Sequence, residues 1–148
     1  MLRYKEILCN VAFPIFVGFG IYLLMRPYDL RFFSWLDNAG VMWIVEWLRA
    51  NVGEWLYLVL PEWAVYSLPN GLWSYGFMFM VVYVWKEPKS GIRWFFILAV
   101  VILSYGYELG QYIGVITGTF CIVDLLFYSL GLIGGYVRGK WYKAQKVL

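Results

Sequence analysis

Of 148 residues, 63% are hydrophobic and 22% aromatic, while only 14% are charged, against about 25% in a soluble domain. With no His and only Cys9 and Cys121, the chain lacks the parts for a His–Cys zinc site, a Ser-His-Asp triad or a C-x-x-C redox pair. Its 12 Lys and Arg against 9 Asp and Glu gather in short polar patches, a pattern that concerns membrane topology and not nucleic acid.

The first apolar stretch, residues 7–25, follows Arg3 and Lys5; as a helix it reaches about 28 Å, enough for the hydrocarbon core. Arg26-Pro27 follows without a small-residue cleavage site, so the stretch reads as a retained span and not a secretory signal. Pro14 inside it removes a backbone donor and predicts a kink. From 27 to 67 the chain is aromatic but studded with Asp29, Arg31, Asp37, Glu46, Arg49, Glu54 and Glu62. That mixture predicts amphipathic helices at the bilayer interface, with Trp and Tyr at headgroup level. A fifth span over 41–60 is the competitor, and it would submerge Glu46, Arg49 and Glu54 at roughly 2.5–3.5 kcal/mol each.

Residues 68–85, 92–109 and 119–137 are the remaining apolar stretches. Four spans put Arg3 and Lys5, then Lys86, Lys89 and Arg93, then Arg138, Lys140, Lys143 and Lys146 on one side, which the positive-inside rule makes cytoplasmic. Five spans would divide them. The expected fold is a single all-α membrane domain over 1–148: four transmembrane helices in a compact bundle plus amphipathic interfacial helices. It belongs in the cell inner membrane, multi-pass, with both termini cytoplasmic.

Four polar residues converge on the outer side of this arrangement. Glu108 ends the third span with Gln111 one turn on, Asp124 lies early in the fourth and Asn70 opens the second. Ionisable groups in a span are costly and often mark ligand sites; the same residues would also tie helices together by hydrogen bonds. Paired carboxyls suit acid–base work and equally a cation-binding pocket. No cofactor is predicted, although Gln111 and Asn70 would complete an oxygen set for magnesium or calcium. The outer ends of the last two spans carry no Lys or Arg, so a phosphate would need Arg26, Arg31, Arg49 or a bound cation.

Gly106, Gly110, Gly114 and Gly118 recur at every fourth position, and Gly131, Gly135 and Gly139 repeat the spacing. In apolar helices such stripes allow close backbone approach; helix packing is expected at Gly106, Gly110, Gly131 and Gly135. The glycines beyond the third span suit the turn leading into the fourth.

The run Tyr107-Glu108-Leu109-Gly110-Gln111, then Gly118-Thr119-Phe120, Asp124-Leu125-Leu126, Gly131 and Gly134-Gly135 resembles the signature of VanZ-like membrane proteins. The resemblance extends back to Leu68-Pro69-Asn70-Gly71-Leu72-Trp73. Tyr128 stands where that pattern usually has Asn, and Asn70 where an acid is frequent. The resemblance implies a small bacterial envelope membrane protein, in a family named for a member associated with teicoplanin resistance, with Glu108, Gln111 and Asp124 on its recurring polar positions.

Three functions follow as expectations. The leading one is binding of a membrane lipid or a lipid-linked, amphipathic envelope molecule at the outer leaflet, contributing to glycopeptide tolerance. Glu108, Asp124, Gln111 and Asn70 would make the polar contacts. An enzyme would use Glu108 as general base and Asp124 as acid or metal ligand on an envelope lipid. A structural subunit would dock to a membrane protein partner, or to further copies of itself, through its glycine stripes.

Overall fold

The computed structural model describes residues 4–28, 30–85 and 91–144, with Glu54, Lys143 and Ala144 described by backbone alone. Arg3, Asp29, Lys86, Glu87, Lys89 and Lys146 of the charge pattern lie outside the described residues. The described elements are helices: α1 Tyr4–Met25, α2 Arg31–Asn38, α3 over 42–59, α4 Glu62–Tyr66, α5 Leu68–Val84, α6 Gly91–Tyr112 and α7 Ile122–Ala144. Among them α1, α6 and α7 as far as Tyr142 are long and apolar enough to cross a membrane. The protein is therefore all-helical and membrane-associated. Helix α7 starts three residues later than the sequence suggests and runs well past Val137.

Helix α1 answers the proline at its centre with a π turn over Leu8–Ala12, in which the Phe13 N–H reaches back to the Leu8 carbonyl. Pro14 has no N–H to give, and its ring would crowd the carbonyl four residues earlier. The wider turn just before it relieves that conflict, as π-bulges do.

Helix α5 has 17 residues, about 25 Å, and is the hub on which the three longer helices meet. Phe79 and Val82 on it are completely enclosed. Against α1, Trp73 Nε1 donates to the Ile15 carbonyl at 3.3 Å, and the Tyr75 hydroxyl donates to Asn10 Oδ1 at 2.7 Å. The Asn10 amide in turn donates to the Glu6 carbonyl at 3.0 Å. Against α6, the buried Ser74 and Ser104 hydroxyls share a hydrogen bond of 3.1 Å. Helices α6 and α7 meet through the Tyr105 and Ser129 hydroxyls at 2.6 Å. In an apolar surrounding these bonds give α5 its register against each neighbour.

The closest packing lies between α5 and α7, where glycine makes it possible. A Cβ on Gly131 would collide with the Gly71 carbonyl oxygen, and one on Gly135 with the Tyr75 carbonyl oxygen. Gly139 continues the ladder, with space for a Cβ only 2.8 Å from the Val82 side chain. The other stripe does something different. A Cβ on Gly106 would meet only Ile102 of its own helix, and one on Gly110 would strike the Ile116 side chain in the following turn. At Gly106 no neighbouring helix lies within 4 Å of such a Cβ, which corrects its expected packing role, and at Gly110 the nearest atoms belong to the turn after α6.

Residues 42–59 form one continuous helix with a π turn over Arg49–Gly53. It is not among the helices apolar enough to cross a membrane, because Glu46, Arg49 and Glu54 stand in it. Trp43, Trp47 and Trp55 are exposed along it, as suits an interfacial helix. Arg49 fixes the helix in place: Nε donates to the Leu23 carbonyl at 2.8 Å and Nη2 to the Arg26 carbonyl at 2.6 Å. Its guanidinium also lies 3.9 Å from the Tyr28 ring centroid and 4.8 Å from that of Phe33. A cation thus meets the unpaired carbonyls and the negative dipole end of α1.

Candidate functional site

The two acids singled out by the sequence do come together, at the joint between α6 and α7. Helix α6 ends in a Schellman turn: the Gly114 N–H reaches the Gln111 carbonyl at 3.1 Å, and the Val115 N–H reaches the Gly110 carbonyl at 2.9 Å. Gly114 takes a φ of 74°, the left-handed conformation this motif requires. Gly118, at φ 136°, lies under the Gln111 side chain so closely that a Cβ would collide with the amide. The fourfold glycine spacing from Gly110 onward is therefore a chain reversal.

Cys121 caps α7, its carbonyl accepting the N–H groups of Asp124 at 3.1 Å and Leu125 at 3.4 Å. Three residues past a cap, an acidic side chain ordinarily reaches back to the cap's own N–H. Here that N–H is taken from outside the helix: Cys121 N donates to Glu108 Oε2 at 3.1 Å. Glu108 is 2% exposed. Its carboxyl lies within electrostatic reach of Asp124, so two acids share the positive end of a long helix dipole. Asp124 is released from capping, and its Oδ1 is enclosed without a hydrogen-bond partner.

The other two expected members have different duties. Gln111 Nε2 points to the Thr117 carbonyl, at 3.4 Å, and holds the reversal. Asn70 Nδ2 donates to the Tyr66 carbonyl at 3.4 Å, the same carbonyl that receives Arg26 Nη2 at 3.1 Å. The four polar residues do not close on one point. With both amides turned elsewhere, the two carboxyls alone fall well short of the six or more oxygens of a magnesium or calcium site. Among the described residues there is also no group of three or more His, Cys, Asp or Glu side chains suited to a metal.

Tyr128 borders the acids, and Arg26 lies within electrostatic reach of Tyr128. The Tyr128 hydroxyl lies within electrostatic reach of Glu108, Asp124, Tyr107 and Arg26. Arg26 stacks at 4.8 Å over Tyr66 and 5.6 Å over Tyr22, and its Nε is enclosed without an acceptor. The sequence marked Arg26 as a cation for a phosphate ligand and Tyr128 as a departure from the VanZ-like pattern, and gave neither a place in the polar set. Arg26 Nε and Asp124 Oδ1 are both enclosed, and neither makes a hydrogen bond to the neighbouring backbone. No protein-family model matches the chain, and neither a curated protein nor a solved structure does.

Proposed function

We propose that this is a four-span membrane protein of the VanZ-like kind, with both termini cytoplasmic. Its outer end binds the polar head of an amphipathic, lipid-linked envelope molecule. Helix α5, 17 residues long, is the second of the four spans. The observation that carries the reading is the pairing of Glu108 with Asp124 at the α6–α7 joint: Glu108 holds the Cys121 N–H, which frees Asp124 from helix capping, and the two carboxyls lie in hydrogen-bond contact. Two carboxyls set together favour a ligand that brings an ammonium or hydroxyl donor.

The enzyme reading is less well supported, because a general base must reach the substrate proton. Glu108 is enclosed, and one of its oxygens already holds the Cys121 N–H. The docking-subunit reading loses its main surface, since the Gly131 ladder is used internally against α5.

The test is glycopeptide and lipoglycopeptide susceptibility in a deletion strain complemented with wild type, D124N or E108Q at matched membrane abundance. Wild type restores tolerance and D124N does not. E108Q keeps an acceptor for Cys121 and reports whether the second charge is needed. Equal susceptibility across all strains would remove the tolerance role.

A further inference from the structure

Away from the acid pair, helices α2 and α3 border a cavity of about 410 Å³ that opens to the surface and is lined by Tyr28, Phe33, Ser34, Asp37, Met42 and Glu46. The lining follows one pattern on both helices. Phe33 and Asp37 are one turn apart on α2, and Met42 and Glu46 one turn apart on α3, so each helix presents an apolar side chain and an acid on the same face. Phe33 is 2% exposed and forms the apolar floor, while Asp37 and Glu46 are exposed and open to a ligand. Neither acid pairs with a base among the described residues. The adjoining cation, Arg49, is committed to the Leu23 and Arg26 carbonyls and to the rings of Tyr28 and Phe33. Two negative charges thus line the cavity, and no positive one does.

Carboxylates over an aromatic floor complement an ammonium, which the charges attract and ring faces accommodate. The surroundings say where that ammonium comes from. Trp35 on α2 and Trp43 and Trp47 on α3 are 66%, 66% and 61% exposed, and Trp side chains displayed in this way belong at the level of lipid headgroups. We infer that the α2–α3 cavity takes the ammonium of a phosphatidylethanolamine headgroup. Asp37 and Glu46 each accept a charge-assisted hydrogen bond from it. The Ser34 hydroxyl, which donates to the Arg31 carbonyl at 2.8 Å, keeps lone pairs for the third N–H.

The test uses the full-length protein in neutral detergent at low salt, with lipid retention read by native mass spectrometry and thermal unfolding showing that each variant is folded. Phosphatidylethanolamine is retained more than phosphatidylcholine, whose ammonium has no N–H to give. Its retention falls about threefold in D37N or E46Q and about tenfold in D37N/E46Q, the scale of exposed charge pairs. Phosphatidylglycerol, which has no ammonium, is held equally by wild type and D37N/E46Q. Both positions are on the surface, so these near-isosteric changes leave the fold intact. Phosphatidylcholine held as firmly as phosphatidylethanolamine overturns the primary-ammonium assignment, and full retention in D37N/E46Q overturns the site. Retention lost in D124N but kept in D37N/E46Q moves the lipid to the α6–α7 joint and overturns it too. Full displacement of the lipid by free ethanolamine overturns the lipid assignment and makes the ligand a soluble amine.

Discussion

Glu108 accepts the Cys121 N–H at 3.1 Å and so occupies the position in the α7 cap that Asp124 would otherwise hold. The relationship makes a prediction about coupling. In E108A the Asp124 side chain can swing back to the cap, as the third residue of a helix commonly does, so stability falls by less than about 1 kcal/mol. D124A alone also costs little, since Glu108 still serves the cap. E108A/D124A leaves the cap without either acid and costs more than the two singles together by about 1 kcal/mol. Thermal unfolding of the four proteins in one detergent measures the cycle, and simple additivity would show that the acids do not exchange this duty.

The two glycine stripes should separate cleanly under substitution. Gly131→Ala and Gly135→Ala press a methyl group into α5 backbone and should destabilise by about 1–3 kcal/mol each, the cost of overpacking a tight contact. Gly106→Ala meets only Ile102 of its own helix and should be neutral or stabilising by about 0.5–1 kcal/mol, because alanine loses less freedom in a helix. A Gly106→Ala protein as unstable as Gly131→Ala would mean that α6 packs closely on an element these contacts do not include.

These stripes mark how far the sequence could be read. Helix type and the apolar stretches were legible from hydrophobic run length, and the joining of Glu108 to Asp124 from their places at the two ends of one short connection. What spacing could not show was the use made of each glycine, since the same fourfold repeat serves a helix ladder at Gly131 and Gly135 and a Schellman turn at Gly110 and Gly114. The amides of Asn70 and Gln111 went elsewhere for a similar reason. A carbonyl close by in the chain outcompetes a distant site for a short side chain. Arg26 and Arg49 were illegible as partners because the groups they meet are backbone carbonyls, which carry no residue signature. The membrane sharpens this gap: with water excluded, any nearby carbonyl becomes a strong acceptor.

Arg49 offers a direct test of how the outer helices are held. Its two bonds to Leu23 and Arg26 carbonyls and its stacking on Tyr28 dock α3 on the end of α1. Charged hydrogen bonds of this kind are worth about 1.5–3 kcal/mol. R49A should therefore speed amide hydrogen exchange across 42–59 and open the 27–67 region to protease, while the α5–α7 core exchanges as before. R49K, with a point charge in place of the fork, should fall between. Uniform acceleration throughout the protein would instead make Arg49 part of the global fold.

The two cysteines allow the proposed orientation to be tested with little alteration of the chain. Cys9 is exposed on α1 and Cys121 partly exposed at the start of α7, and neither is in a disulfide. In a C9S protein, a membrane-impermeant maleimide added to intact cells should label Cys121, because the α6–α7 joint faces outward if both termini are inside. Adding K140C to a C9S/C121S background moves the thiol to the basic end of α7, and labelling should then require permeabilised cells. The opposite pattern would invert the molecule, turning Asp124 to the cytoplasm. The outer-leaflet ligand would then be excluded.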